Sequence, residues 1–316
     1  MGHLSRIVAL VVALLAAPAQ AAEGVGADEA AARFAARARA QAAEDEAGPL
    51  TNGIHYFASN ERDLDLVRVA VTGRGGALVA VAADPAYILA AWAAPEAIVL
   101  VDSDPAIPRL HQIYAALFAA APGPAEFRRL WSEEGAAEAR ALLEDEALRA
   151  LYDEARPAVA RRFADVERRF AARATPWLLS DAALYERVAA LVRGGRVVAL
   201  CGDFTRDGVV RAVGEALRAE GLGVGLLYLS NIEQYFLYTP GFRAAIAALP
   251  LAGGQVVRTL PGRPAGFEYI VQEGAHFQRW AASPAVRSVY RIRGFKRGEP
   301  LSGRTLHVVE GSREPP

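Results

Sequence analysis

The sequence predicts an α/β protein built on a mostly parallel, doubly wound sheet. Three observations carry that expectation. Ala77–Asp102, ALVAVAADPAYILAAWAAPEAIVLVD, reads as strand, turn, helix, strand. Comparable units recur from Arg196 to Leu229 and on to Leu260. Ala77–Ala83 is apolar throughout, as a buried parallel strand covered on both faces is.

From the N-terminus, Met1–Ala22 carries Arg6, an apolar run Ile7–Ala17 and the small-x-small sequence Ala19-Gln20-Ala21. This is the pattern of a secretory signal peptide cleaved after Ala21 or Ala22. Its apolar run is shorter than the roughly 20 residues a membrane span needs. The expectation is an exported protein, periplasmic or secreted, with no membrane attachment after signal removal. Residues 23–48 form an Ala/Glu-rich leader in which Phe34 is the large apolar residue. High helix propensity with little to bury predicts a helical or frayed segment, ended by Gly48-Pro49.

Residues 49–311 are expected to form a single domain. In Thr51–Asp65, Ile54, Tyr56 and Phe57 lead into Ser59-Asn60-Glu61, then Asp63 and Asp65. Aromatics beside small polar and acidic residues suit a binding mouth; Ser59 equally suits the N-cap of a helix over Glu61–Val69. Ala77–Ala83 is the first strand. Asp84-Pro85 then offers an N-cap and a first-turn proline for a helix over Ala86–Ala93. Ala97–Val101 is the second strand, closed by Asp102. Pro105 opens a helix to Ala120, with His111 and Tyr114 three residues apart on one side. Residues 122–180 read as a helical insertion, with Val159, Phe163, Val166 and Phe170 at a 3.6-residue period and breaks at Pro157 and Pro176. A helix over Ala182–Arg193, a strand over Arg196–Cys201, a helix over Arg206–Glu220 and a strand over Val224–Leu229 follow. A helix over Gly241–Ala248 leads to strands at Gln255–Leu260, Val286–Arg293 and Thr305–Val309, the last of which add an antiparallel edge.

Composition narrows the function classes. Of 316 residues, 53% are hydrophobic, enough for a sizeable core. The net charge of −1 provides no field for nucleic acid or an anionic membrane. The single cysteine, Cys201, excludes an intramolecular disulfide and reads as a small core residue. His3, His55, His111, His276 and His307 have no ligand-like spacing, so no metal is expected. No nucleophile elbow, phosphate-binding loop or zinc-protease motif is present.

In open α/β sheets, ligands bind beyond the carboxyl ends of the strands, near the point where strand order reverses. Three such ends carry polar residues: Ala82-Ala83-Asp84 with Asp102 after the next strand, Gly202-Asp203, and Ser230-Asn231 followed by Glu233 and Tyr235. An acidic residue in the position of Asp102 can accept hydrogen bonds from ribose hydroxyls. The first turn is rich in alanine where a nucleotide-binding turn is rich in glycine, so a positive φ there is costly.

The blocks Tyr56-Phe57-Ala58-Ser59-Asn60-Glu61, Ala77–Asp102 with His111 and Tyr114, and Gly202-Asp203-Phe204 through Leu229-Ser230-Asn231-Ile232-Glu233-Gln234-Tyr235 resemble a family of uncharacterised bacterial proteins. Its core is like that of class I S-adenosylmethionine-dependent methyltransferases. The resemblance covers roughly residues 50–260 and implies a Rossmann-like, methyltransferase-like sheet. Members carry a Gly-Val-Gly-like cofactor loop where this chain has Ala80-Val81-Ala82. The resemblance implies cofactor contacts at Ala82, Asp84, Asp102 and Asp203, with Asp102 on the ribose and Asp203 on the adenine edge. Ser59, Asn60, Glu61, Ser230 and Asn231 would line the acceptor side, with Glu233 or Tyr235 as base.

Two functions follow as expectations. One is an exported scaffold that binds a small molecule or a protein through the cleft, its cofactor loop degenerate. The other is methyl transfer from S-adenosylmethionine to a small molecule, which needs little beyond placement and a modest base. Export weighs against the second, because S-adenosylmethionine is a cytosolic metabolite.

Overall fold

The structure is a computed structural model that describes residues 24–41, 45–206, 208–262, 266–301, 303–312 and 314–315. The predicted signal peptide, residues 1–22, lies outside them. Eight strands form one sheet: β1 (Ala77–Ala80), β2 (Ala97–Asp102), β3 (Val197–Cys201), β4 (Val224–Ser230), β5 (Gln255–Pro261), β6 (Phe267–Glu273), β7 (Lys296–Leu301) and β8 (Arg304–Val309). Their order is β3-β2-β1-β4-β5-β6-β8-β7. The first five in that order are parallel. β6 runs antiparallel to β5, β8 parallel to β6, and β7 antiparallel to β8. The protein is therefore α/β, with a mostly parallel sheet and an antiparallel edge.

Consecutive apolar residues in the strands serve two cores, because alternate side chains point to opposite faces. Leu78, Ala80, Ile98 and Leu100 belong to one. They pack with α2 (Asp84–Ala93), α3 (Ala106–Ala120), α4 (Pro124–Leu130), α6 (Glu146–Ala171) and α7 (Ala182–Arg193), while the short α5 (Ala136–Ala141) adds Ala139. Ala77, Val79, Val99 and Val101 belong to the other, under α1 (Gly24–Gln41), α8 (Val209–Ala219), α9 (Pro240–Ala248), α10 (Gly274–Ala282) and α11 (Val289–Arg293). In α8 the inward stripe Val209, Val210, Val213 and Leu217 is buried throughout, and Gly221 follows with φ 68°. No helix among the described residues is long and apolar enough to cross a membrane.

Four expectations are corrected here. The leader is an integral layer: Ala31, Phe34, Ala35 and Ala38 are buried against α8 and the β2–β3 side of the sheet. Small alanines let the helix approach closely, and the Nε atoms of Arg33 and Arg37 bind Glu220 at 2.9 and 3.0 Å. Pro157 does not break its helix; α6 runs through it for 26 residues. The proline is only half-buried, and the carbonyl it deprives of a partner belongs to exposed Asp153, which water can serve. Val286–Arg293 is not a strand: Val286, Val289 and Ile292 are buried at a spacing of three, the period of the turn and helix they form. No helix spans Glu61–Val69; a 3-10 turn at Leu64–Val67 leads into one α-turn at Arg68–Val71. Ser59 instead accepts from the Glu61 N–H at 3.0 Å, closing a local turn. Strand β6, helix α10 and strand β7 were not expected from the sequence.

Candidate functional site

Strand order reverses between β1 and β4, so the connections leaving these two strands diverge and open a crevice at their carboxyl ends. A cleft of about 250 Å³ lies there. Its floor is Val81-Ala82 after β1, Asp102-Ser103-Asp104 after β2, Gly202 to Thr205 after β3, and Ser230-Asn231-Ile232 after β4. Its mouth is formed by Pro49, Leu50, Ile54, Tyr56, Ala58, Ser59 and Asn60 on one side and Tyr235 and Phe236 on the other. Ile54, Tyr56 and Tyr235 are large apolar side chains exposed at that mouth. Gly202 is required: a Cβ there would stand 2.8 Å from Val209 Cβ and 2.9 Å from Val101 Cγ1.

The segment after α1 supplies a lip. Asp45 N–H donates to Cys201 O at 3.2 Å and Gly48 N–H to Ser103 O at 2.9 Å, so this stretch crosses the ends of β3 and β2. The Asp45 carboxylate also accepts from Asp203 N–H at 3.0 Å.

Three carboxylates line the floor. Asp102 accepts from the Asp104 N–H at 3.0 Å. Burial pushes its pKa up to about 6, and the nearby Asp104 charge adds to the shift while backbone N–H groups oppose it. Asp104 pairs with His55, Nδ1 to Oδ2 at 2.7 Å. Asp203 Oδ1 accepts from Thr205 N–H and Oγ1–H, both at 2.8 Å. A floor of this kind favours a ligand rich in hydroxyl or ammonium donors.

The two walls of the crevice hold strained backbone. Ala82 has φ 72° and Ser230 has φ 48°. Each costs on the order of 1–3 kcal/mol, and such residues concentrate at functional sites. The alanine turn thus follows the left-handed path that a glycine would follow without cost.

Behind the Ser230 wall lies a closed network. Glu61 is buried and accepts from Ser230 Oγ–H at 3.0 Å, Thr259 Oγ1–H and Tyr228 O–H. Burial pushes its pKa up to about 7; the Thr259 and Ser230 hydroxyls and Arg162 pull it back, while Asp84 pushes it further. Ser230 is the partner that also lines the cleft.

The sequence-predicted residues therefore divide. Ala82, Asp102, Asp203, Ser59, Asn60, Ser230, Asn231 and Tyr235 share the cleft. The Glu61 carboxylate is linked to it through Ser230. Asp84 does not line it: its carboxylate is buried, binds Arg162 Nε at 2.7 Å and accepts from Ser59 N–H at 2.7 Å. It caps no helix by its side chain, and a carboxylate so engaged is not free for a cofactor. Glu233 is corrected in the same way. It is buried against Arg258, 2.8 Å from Oε2 to Nε, and accepts from Tyr238 O–H, so it presents no base to the cleft. Burial raises its pKa, with Arg258 opposing. His111 is also interior, bound to Tyr87 O–H at 3.0 Å, and burial lowers its pKa to about 3. Sequence reasoning missed Asp104, His55 and Thr205; two carboxylates spaced by one residue, Asp102-Ser103-Asp104, were the available signal.

Among the described residues, no group of three or more His, Cys, Asp or Glu side chains is placed to hold a metal ion. A search of curated proteins finds no match. A family model described as Domain of unknown function (DUF7790) matches residues 56–304, and the chain belongs to that family.

Proposed function

We propose that this is an exported small-molecule-binding protein whose cleft takes a ligand bearing a vicinal diol, of the adenosyl class. The observation that carries the reading is Asp102. It is a half-buried carboxylate at the end of β2, beside the crevice where strand order reverses, in a cleft lined by two further carboxylates. A carboxylate there accepts two hydroxyl donors and loses little by being partly dehydrated first. The Met1–Ala22 pattern supports the export half of the reading.

Methyl transfer from S-adenosylmethionine is the second reading, and two observations favour it. Ala82 keeps the left-handed backbone of a glycine turn, so the loss of glycine has not rerouted the loop. The β3-β2-β1-β4-β5 order also fits the methyltransferase-like sheet that the sequence resembles. The residues present fit the cofactor: Asp102 would hold its ribose hydroxyls, the Val81-Ala82 backbone would lie against it, and Asp203 would face its adenine. Bound there, the cofactor would supply an electrophilic methyl group. Ser230 and Glu61 would take up the proton an acceptor releases, the hydroxyl passing it to a carboxylate whose pKa is already near neutral. Tyr235, exposed at the mouth, would hold the acceptor rather than serve as a base.

Calorimetric titration of the chain lacking Met1–Ala22 with S-adenosylmethionine tests the reading. Saturable heat that Asp102→Ala weakens about tenfold or more supports it; absence of heat at millimolar ligand overturns it.

A further inference from the structure

We propose a second subsite, for an oxyanion, adjoining the cleft. A hollow of about 220 Å³ lies between the loop that carries Ser59 and Asn60 and the outer face of α6. Ser59 and Asn60 line both it and the main cleft, so the two spaces share a wall. Arg62, Arg161 and Arg162 line the hollow together with one acidic residue, Asp165.

Charge and hydrogen bonding in the hollow are unbalanced. Asp165 is already taken, by Arg168 and by Arg169 Nε at 2.9 Å. Arg62 and Arg161 are exposed, and neither makes an ion pair among the described residues. Arg162 supplies the independent observation. Its side chain is 5% exposed, its Nε is committed to Asp84, and its buried Nη2 has no hydrogen-bond partner among the described residues. A buried, charged N–H left unmatched is unfavourable by more than an ordinary hydrogen bond is worth, and a small anion would satisfy it. Guanidinium groups match the planar and tetrahedral oxygens of carboxylate and phosphate. The ligand class is therefore an oxyanion, phosphate or carboxylate, free or borne by a molecule that extends into the main cleft. The subsite goes beyond the diol reading and does not depend on it.

The test is titration of inorganic phosphate, and separately of acetate, into the chain lacking Met1–Ala22 at low salt, followed by calorimetry. Wild type should bind at least one of them with a millimolar constant. The double variant Arg62→Gln/Arg161→Gln, altered only at exposed positions, should lose about tenfold or more. Asp102→Ala should bind the same anion as wild type does, which separates this site from the diol site. Preference between the two anions identifies the group recognised. No saturable binding of either, or binding that the double variant retains in full, overturns the subsite.

Discussion

Glu61 is the residue on which the chemistry of the cleft wall turns. Its pKa is about 7 in the fold against 4.5 for an ordinary glutamate, chiefly because it is buried. Folding therefore takes up a proton between those values, and the contribution of Glu61 to stability falls as pH rises from 4.5 to 7. Glu61→Gln removes that dependence. Urea denaturation at about pH 4.5 and about pH 8 should show the variant gaining about 3 kcal/mol on wild type across the interval. A gap that stays constant would mean that Glu61 ionises normally. Asp102, with its pKa at about 6, shifts both proteins alike and cancels in the comparison. Residue roles were only partly legible in the sequence. Asp102 and Asp203 follow from their positions at strand ends, which the apolar runs locate. Glu233 and Asp84 occupy comparable positions, yet their carboxylates turn inward to Arg258 and Arg162, partners distant in the chain that no local spacing reveals. Ala82 shows the converse: a left-handed φ is costly for an alanine, and the fold adopts it regardless.

At the scale of elements, α1 is the instructive case. An alanine-rich segment with one phenylalanine gives a weak amphipathic signal, because alanines register as neither face. The helix is nonetheless the lid on the β2–β3 side of the sheet, and Phe34 is fully buried beneath it. Phe34→Ala should reduce stability by about 3–5 kcal/mol, as loss of a buried aromatic does. Equilibrium urea denaturation would read this, and a change below about 1 kcal/mol would mean that α1 is only loosely attached. The same logic explains which elements the sequence revealed. β1, β2 and β4 lie inside the sheet, and their largely apolar runs declare it. β7, at the edge, has the exposed, mixed sequence Lys296–Leu301 and gives no such signal. Edge strands are blunted by charge and proline, and both are present there.

At the scale of the whole molecule, the cleft rests on the reversal of strand order between β1 and β4. It gathers Ala82, Asp102, Asp203 and Ser230, separated by up to about half the chain, around one cleft. The parallel α/β architecture was legible because each unit repeats one pattern. The cleft's polarity was partly legible, since strand ends were visible but the crossing of Asp45–Gly48 over them was not. The neighbouring arginine hollow was hidden altogether, because it depends on where α6 lies against the loop at Ser59 and Asn60. The central claim is that Asp102 recognises a vicinal diol in this cleft. Calorimetric titration of the chain lacking Met1–Ala22 with adenosine and with 2′-deoxyadenosine tests it most directly. Adenosine should bind about tenfold or more tightly than the deoxy compound; equal affinities, or no binding of adenosine at millimolar concentration, would rule out diol recognition by Asp102.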